Sequence, residues 1–185
     1  MNTKPDASEY YDYTLPFYRL FWHGKTYGIH YGIWNKNTKN LKESILNTNA
    51  FLAEMAKIHR TDKVLDAGCG IGGSSLWIAK NIGARVIGIT ISRKQLEKAK
   101  ELAKRFNLDG LVKFYEKDFI NTGFENELFN VIWAIESVCH AQNKSDFLKE
   151  AYRLLKKEGR IIIADGYLEN YPKNEYEKEK LKSFL

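Results

Sequence analysis

The sequence predicts an α/β fold in which helices cover both faces of a doubly wound parallel sheet. From residue 62 onward, short apolar runs of strand length alternate with longer helical stretches, which is typical of βαβ units. The first strand leads directly into a glycine-rich turn at residues 68–73, where a helix begins. Short connections and right-handed crossovers favour the doubly wound arrangement. A chain of 185 residues suits one such domain with a short extension.

Five strands are predicted, each an apolar run bounded by turn residues. They are Val64–Ala67, Arg85–Thr90, Val112–Glu116, Asn130–Ile135 and Arg160–Ala164. The helices begin at capping residues and end near glycines. They cover 38–58, Gly73–Asn81 before Gly83, the stretch from the cap Ser92 to about Phe106, 145–157 before Gly159, and the tail from Tyr171.

The N-terminal segment is built differently, because residues 5–36 are rich in aromatic side chains without a regular period. Residues 9–22 predict a short helix, and glycines at 24, 28 and 32 then break the pattern into a loop. This segment either forms a lid over a ligand or packs one extra helix onto the sheet. We therefore divide the chain into an aromatic-rich lid and helix at 1–60, a ligand-binding core at 61–170 and a charged helical tail at 171–185.

Composition argues against several classes of protein. With 44% hydrophobic residues the chain is globular, and its apolar runs fall far short of the ~20 residues that a membrane span needs. The net charge is +6, but the lysines alternate with glutamates as on a solvated helix face, so no nucleic-acid partner is expected. Two cysteines and a polar N-terminus without a secretion signal indicate a reduced, cytoplasmic protein. The four histidines lack the close spacing of a metal site.

The turn after the first strand is the strongest functional signal. Gly68, Gly70 and Gly73 have the G-x-G-x-x-G spacing that lets a backbone turn sharply and approach a ligand. Asp66 precedes the turn, and its carboxylate would repel a pyrophosphate. A ligand with a ribose, an α-amino group and a sulfonium meets no such repulsion. The turn therefore favours S-adenosylmethionine (SAM) over NAD.

Four motifs give residues 62–166 a resemblance to the class I SAM-dependent methyltransferases, which have a Rossmann-like fold. In order, the motifs are Val64–Gly70, Gly88–Ser92, Glu116–Phe119 and Phe129–Glu136. The resemblance implies that the backbones of Gly68 and Gly70 lie against the methionine part of SAM. It also implies that Asp66 helps to place the amino group, directly or through water.

At the third and fourth strands the resemblance implies contacts with the rest of the cofactor. Asp118 would accept a hydrogen bond from the adenine amino group, with Phe119 beside it. Ala134 joins these cofactor residues at the end of the fourth strand. A loop residue that caps a turn is the other interpretation of Asp118.

The second strand departs from the common family pattern, in which an acid binds the ribose hydroxyls. Thr90 stands at that position, within the segment Gly88–Gln95. This segment resembles the Thr/Ser turn followed by Gln in cyclopropane-synthase-like and sterol-methyltransferase-like members. The resemblance makes Thr90 and Gln95 the ribose candidates, whereas Ser92 is explained as a helix cap.

Glu136 and His140 are the candidate catalytic residues. They lie in Trp133–Ala141, a segment that resembles its counterpart in sterol C-methyltransferases. The N-terminal segments around Tyr11 and His30 resemble the same group and, more loosely, tocopherol-type methyltransferases. On one helical turn the two side chains would share a face, with Glu136 orienting the acceptor and His140 accepting a proton. For His140 the alternative is a polar loop residue bonded to the backbone.

The family usually has seven strands, whereas this chain ends soon after its fifth predicted strand with a charged tail. The fifth strand would then be an open edge, which proteins normally cover. We expect either a truncated form without the C-terminal strands or a partner at this edge, such as a second copy in a homo-oligomer.

The sequence thus predicts methyl transfer from SAM to a small, apolar or aromatic acceptor at carbon, oxygen or nitrogen. A SAM-binding subunit without catalytic activity is the non-enzymatic alternative. An NAD-binding oxidoreductase is the other, and both Asp66 and Thr90 argue against it.

Overall fold

The computed structural model describes residues 13–14, 26–166 and 172–182. Most of the helix predicted at 9–22, the aromatic residues just before Thr26 and the first residue of the predicted tail lie outside these ranges. Within them, no helix is long and apolar enough to cross a membrane.

In the described part of the chain, five parallel strands form one sheet in the order β3–β2–β1–β4–β5. The strands are β1 (Lys63–Ala67), β2 (Arg85–Thr90), β3 (Val112–Glu116), β4 (Phe129–Ile135) and β5 (Leu155–Ala164). Because β1 lies between β2 and β4, the strand order reverses there and leaves a crevice at the carboxyl ends. The predicted doubly wound, Rossmann-like sheet is confirmed.

The α-helices of the same residues are α1 (Leu41–Met55), α2 (Gly73–Ile82), α3 (Arg93–Arg105), α4 (Lys144–Leu154) and α5 (Glu175–Lys182), with a 3-10 turn at Val138–His140. Asn40, Ser92 and Asn143 cap α1, α3 and α4 by accepting a backbone N–H in the first turn. By contrast, α2 has a glycine, Gly72, at its cap position, and it ends at Gly83 as predicted.

The predicted helix at 145–157 is wrong at its C-terminal end. α4 ends at Leu154, and the next residue already pairs with Phe129 as the first of β5. A register shift follows, with Glu158 in the left-handed region at φ 62°, before regular pairing resumes. Gly159 therefore lies in an irregular part of a strand, because pairing with β4 outweighs the helical preference of the Lys and Glu residues.

Two apolar clusters fill the opposite faces of the sheet. Val64 and Trp133 belong to the cluster shared with α1, α2 and α3. Leu65, the next residue along β1, belongs to the other cluster, together with Phe147 of α4. This alternation follows because successive side chains of a strand point to opposite faces. Leu52 of α1 contributes to the first cluster. The predicted boundary between an N-terminal part and the core near residue 60 stays a prediction.

Arg160 ties β5 to the loop between α1 and β1. Its guanidinium donates to the carbonyl of Ala56 at 2.6 Å and to Oδ2 of the buried Asp62 at 2.6 Å. It also reaches the carbonyl of Lys57 at 3.1 Å. A planar guanidinium can serve several acceptors at once, so this contact fixes the end of α1 against the sheet.

The outer edge of β5 has no paired strand among the described residues, which agrees with the open edge expected for the fifth strand. Ile161 on this strand is 39% exposed. A second copy or another partner at this edge stays a prediction.

Candidate functional site

A cavity lies at the carboxyl ends of β1, β2 and β4, where the strand order reverses. Its walls come from the glycine turn, the β2–α3 junction, the loop after β3, the segment after β4 and residues 27–30. The predicted site residues that line it are Asp66, Gly68, Gly70, Thr90, Gln95, Phe119, Glu136 and His140. Asp118 and Ala134 do not belong to this lining.

Positive φ angles shape the glycine turn. Gly68 has φ 87° and Gly70 has φ 55°, which residues with a side chain rarely adopt. The N–H groups of Gly68 and Cys69 donate to the carbonyl of Ile89 at 3.0 and 2.9 Å, which joins the turn to β2. A Cβ on Gly68 would lie 2.4 Å from Cβ of Ser137, whereas one on Gly70 would meet nothing closer than 3.9 Å. Gly70 therefore leaves space at the cavity wall in which a ligand can approach the backbone.

Gly73, the third glycine of the predicted spacing, makes room for another segment of the chain. A Cβ at this position would lie 2.4 Å from the carbonyl of Tyr27 and 2.6 Å from the backbone nitrogen of Gly28. The absence of a side chain thus brings residues 27–28 directly onto the start of α2.

Asp66 is buried and acts as a cap for α2 from the neighbouring strand. Its Oδ2 accepts a 2.5 Å hydrogen bond from the hydroxyl of Ser75, and its carboxylate also accepts the Ser75 backbone N–H. Gly72, at the cap position, has no side chain for this purpose, so Asp66 supplies the missing acceptor. Burial raises the pKa of Asp66 to about 6, although both bonds from Ser75 lower it.

Thr90 and Gln95, the ribose candidates, are hydrogen-bonded to each other. The Thr90 hydroxyl donates to Oε1 of Gln95 at 2.8 Å, and both residues are buried at the cavity wall. The amide nitrogen of Gln95 lies 4.0 Å from the position of a Cβ on Gly70. Thr90 therefore holds the oxygen of the amide while its donor side lies near the glycine turn. Ser92 accepts the Gln95 N–H at 3.1 Å and caps α3 as predicted.

Asp118, the adenine candidate, is exposed and stabilises a turn. Its Oδ1 accepts the Ile120 N–H at 3.0 Å, and its carbonyl accepts the Asn121 N–H at 3.3 Å. This arrangement matches the alternative interpretation, a loop residue that caps a turn. The neighbouring residues Lys117 and Phe119 line the cavity, and a contact between Asp118 and adenine stays a prediction.

Phe119 and Ala134 differ in their surroundings. The Phe119 ring packs edge-to-face on Phe147 of α4, with centroids 5.4 Å apart, and it lines the cavity as well. Ala134 is 1% exposed and belongs to the apolar cluster under α4. The next two residues reach the cavity, namely Ile135 at the end of β4 and Glu136 directly after it.

Glu136 has φ 47°, in the left-handed region that non-glycine residues seldom adopt. Its N–H donates to the carbonyl of Ala164 at 2.7 Å, and its Oε1 accepts the N–H of Tyr31 at 2.7 Å. Burial raises the pKa of Glu136, the bond from Tyr31 lowers it, and the charge of Asp165 raises it. The carboxylate thus joins the segment after β4 to the N-terminal segment beside the cavity.

His140 lines the same cavity from the end of the 3-10 turn. The two catalytic candidates do not share one helical turn, because the turn begins at Val138 and Glu136 has a positive φ. Burial lowers the pKa of His140, the charge of Asp165 raises it, and that of Lys144 lowers it. A neutral imidazole at a cavity wall has a lone pair with which to accept a proton.

Asp165 is a site residue that the sequence analysis does not include. It follows β5 at the same edge of the sheet, and its Oδ2 accepts the N–H of Cys139 at 2.9 Å. An acid at the carboxyl end of a parallel strand, as with Asp66 near the end of β1, is the signal that would have found it. Among the described residues, no group of three or more His, Cys, Asp or Glu side chains could hold a metal ion.

His30 is a second residue that the structure brings to the cavity. It is 4% exposed, and its Nδ1 lies 3.0 Å from the carbonyl of Tyr31. Its buried Nε2 has no hydrogen-bond partner in the described part of the chain, and burial lowers the pKa of the ring. Gly28 and Gly32 on either side of His30 were the sequence signal of a loop, but they did not show that the loop reaches the cavity.

Comparison with known proteins identifies relatives of this chain. A family model described as "Methyltransferase domain" matches residues 65–163. A sterol 24-C-methyltransferase of Saccharomyces cerevisiae is 35% identical over 170 residues, which cover 89% of this chain and 43% of that protein. The chain spans about half the length of the curated relatives it matches.

Two solved structures share the architecture. The (4+2)-cyclase SpnF has a TM-score of 0.80 at 25% identity, over 84% of this chain and 57% of that one. A geranyl diphosphate methyltransferase in complex with SAM has a TM-score of 0.66 at 25% identity, over 72% of this chain and 60% of that one.

Proposed function

Because the chain belongs to the methyltransferase-domain family, within its class I SAM-dependent group, we propose that it binds SAM in this cavity and transfers the methyl group to a small apolar or aromatic molecule. The observation that carries the proposal is the convergence of the glycine turn, the Thr90–Gln95 pair, Glu136 and His140 on one cavity. Bound SAM supplies an electrophilic methyl group on a sulfonium leaving group.

The chemistry of the cavity wall fits the parts of SAM. Gly70 leaves room for a ligand against the backbone, and the Asp66 carboxylate beside it has the charge to attract the α-amino group. Thr90 and Gln95 offer hydrogen bonds to ribose hydroxyls. The ring of Phe119 provides an apolar wall for the base.

Glu136 and His140 act on the acceptor in this proposal. Methyl transfer requires alignment of the acceptor, exclusion of water and, for oxygen or nitrogen acceptors, removal of a proton. His140, held neutral by burial, accepts that proton, and the negative charge of Asp165 stabilises the resulting imidazolium. Glu136, fixed by its bond to the Tyr31 N–H, orients the acceptor.

Relatives of the chain and the lining of the cavity both favour an acceptor with an apolar skeleton. The yeast relative is named for a sterol and the SAM-bound structure for geranyl diphosphate, and both molecules have an apolar isoprenoid skeleton, which in the second is joined to a charged diphosphate. Five isoleucines line the cavity, namely Ile29, Ile71, Ile89, Ile91 and Ile135. These side chains offer an apolar surface to such an acceptor.

Calorimetry with SAM, its demethylated product and NADH tests the cofactor assignment. SAM and its product should bind, and NADH should not. Transfer of labelled methyl groups to a panel of sterols, isoprenyl diphosphates and aromatic phenols then tests the reaction. Glu136→Gln and His140→Ala should keep SAM affinity and lose turnover. Unchanged turnover in both variants would show that neither residue has the proposed role.

A protein that binds SAM without transferring its methyl group is the second candidate function. SpnF favours it, because its name describes a cyclase on the same architecture. SAM binding with no methyl transfer to any acceptor, together with conversion of a polyene substrate, would support this second function over the first.

A further inference from the structure

Exposed aromatic and apolar side chains follow directly after the cavity-lining residues 27–30. Tyr31 is 74% exposed and Trp34 is 58% exposed. Ile33 and Leu41, on the same segment, are 38% and 37% exposed. Residues 31–42 comprise a loop and the first two residues of α1, and we call them the aromatic–basic loop. They present a cluster of apolar surface of the kind that marks an interaction site.

The aromatic–basic loop also carries uncompensated positive charge. Lys36, Lys39 and Lys42 are exposed, and residues 31–42 contain no acidic residue. The adjacent Glu43 is occupied in the cap of α1, where its Oε2 accepts the Lys39 N–H at 2.8 Å. Within the described part of the chain none of these three lysines forms an ion pair. Their ammonium groups are therefore available to an anionic partner.

Hydrogen bonds hold the loop in one shape. The Ile33 N–H donates to Oγ1 of Thr48 at 2.9 Å, which joins the loop to α1. Oγ1 of Thr38 accepts from the Asn35 N–H at 2.9 Å and from Nδ2 of Asn47 at 2.9 Å. The exposure of Trp34 thus follows from a defined backbone fold.

We propose that the aromatic–basic loop docks on the surface of an anionic lipid bilayer. Tryptophan and tyrosine favour the boundary between headgroups and acyl chains, where an apolar ring and a polar atom are both accommodated. Lysines beside them attract anionic headgroups, and their stems lie along apolar surface. Aromatic, aliphatic and lysine side chains on one short rigid loop match this environment.

Two other partners fit the loop less well. The buried centre of a protein–protein interface is depleted in lysine, whereas lysines are interspersed with the apolar residues here. A nucleic acid would stack on Trp34, but the aliphatic Ile33 and Leu41 offer nothing to a stacked base. Of the three partners, only the lipid surface interacts favourably with the aromatic, the aliphatic and the lysine side chains together. The proposal concerns a surface outside the cavity and does not depend on the proposed methyl transfer.

Co-sedimentation of the full chain with vesicles tests the role of the lysines. The wild type should bind vesicles of phosphatidylcholine with about one-third phosphatidylserine, and it should bind pure phosphatidylcholine much less. Each lysine near an anionic membrane is worth roughly a fivefold gain in partition coefficient. The triple variant Lys36→Gln, Lys39→Gln, Lys42→Gln should therefore bind about 100-fold less. A fall of less than about tenfold would overturn the proposal.

A matched control changes the net charge equally at another surface. Lys100→Gln, Lys104→Gln and Lys113→Gln alter three exposed lysines on α3 and β3. This variant should bind anionic vesicles within about threefold of the wild type, because its lysines do not belong to the aromatic–basic loop. An equal loss in both triple variants would show that only net charge matters and would also overturn the proposal.

Fluorescence tests the role of Trp34 separately. Anionic vesicles should shift the emission of the wild type to the blue, and brominated lipids should quench it, since the ring enters the headgroup boundary. Trp34→Ala should lose this shift, whereas Tyr152→Ala, which removes an 84% exposed ring on α4, should keep it. A shift that persists without Trp34, or capture by single-stranded RNA without vesicle binding, would contradict lipid docking. SAM affinity measured on the same variants keeps this outcome separate from the proposed function.

Discussion

The backbone N–H of Tyr31 donates a 2.7 Å hydrogen bond to Oε1 of Glu136, which lies 105 positions later in the chain. This bond holds the segment that contains His30 against the end of β4. Two variants distinguish the hydrogen bond from the charge. Gln at position 136 keeps an oxygen acceptor, whereas Ala removes it.

We expect hydrogen exchange at the Tyr31 amide to stay slow in Glu136→Gln and to become at least about tenfold faster in Glu136→Ala, because the bond contributes about 1.5–3 kcal/mol. Exchange measured by NMR or mass spectrometry checks this. Equal exchange rates in the two variants would mean that other contacts hold the segment.

The two glycines at the start of the turn should respond differently to alanine. Gly68→Ala combines a φ of 87° with a contact of 2.4 Å to Ser137, and it should lower the free energy of unfolding by more than about 2 kcal/mol. Gly70→Ala has a φ of 55° and open space, so it should cost about 1 kcal/mol and reduce SAM affinity at least tenfold.

Gly110→Ala is the control for both glycines, because a Cβ there meets nothing within 4 Å. Its stability and SAM affinity should match the wild type within about 0.5 kcal/mol. Urea unfolding and calorimetry give the two quantities. Unchanged SAM affinity in Gly70→Ala would place the ligand away from the glycine turn.

Asp66 should make the protein less stable as the pH rises from about 4 to about 6. Its pKa is raised to about 6 in the folded state, above the value near 3.9 of an unfolded chain, so the folded state binds the proton more tightly. The stabilisation is present below the unfolded pKa and is lost as the pH rises through the folded one, by about 3 kcal/mol in total.

Asp66→Asn retains an oxygen acceptor for Ser75 and removes the titration. The difference in unfolding free energy between the wild type and this variant should therefore change by up to about 3 kcal/mol between pH 4 and pH 7. Urea unfolding across this range measures it, and other groups that titrate cancel because both proteins contain them. A difference that is constant with pH would show that the carboxylate does not titrate in this window.

Glu150 should have the opposite pH dependence. The guanidinium of Arg153, at 2.7 Å, and the hydrogen bonds from Thr122 hold the pKa of this buried carboxyl at about 2. The stabilisation is full above pH 4.5 and is lost as the pH falls towards 2. Glu150→Gln should cost about 1–2 kcal/mol at pH 7, after allowance for solvent screening at the partly exposed arginine.

Lys149→Gln, on the same helix, removes an exposed ion pair with Asp146 and serves as the matched control. It should change stability by less than about 0.5 kcal/mol. Thermal unfolding between pH 2 and pH 7 compares the two variants with the wild type. Equal effects of the two substitutions at pH 7 would contradict a special role for the Glu150 network.

The parallel sheet was predictable because each strand is a short apolar run next to a turn signal. Arg85–Thr90 and Val112–Glu116 were predicted with the bounds that the structure has. The beginning of β5 was not, because Leu155 and the Lys and Glu residues after it have helical propensity, and only pairing with β4 makes them a strand. The local propensity of the residues determines whether a segment forms a helix or a strand when no stronger long-range contact competes with it.

The residues of the candidate site also differ in whether a local sequence pattern predicts them. Asp66, the glycines and Thr90 were found because they belong to one motif or end one strand. His30 was missed because no local pattern places its loop at the cavity, and Asp165 was missed although it stands at the carboxyl end of a predicted strand. Asp118 accepts a hydrogen bond from the Ile120 N–H within a turn, and the adenine contact that its motif predicts stays a prediction.

By itself, the sequence determined the alternation of strands and helices, the glycine turn and the family, because hydrophobic period and turn chemistry are local properties. Only the tertiary structure decided what surrounds these features. It placed Asp66 as the cap of α2, joined Glu136 to Tyr31, and exposed Trp34 among three lysines. Such relationships depend on which distant segments the packed sheet brings together, and no local pattern of residues encodes that choice.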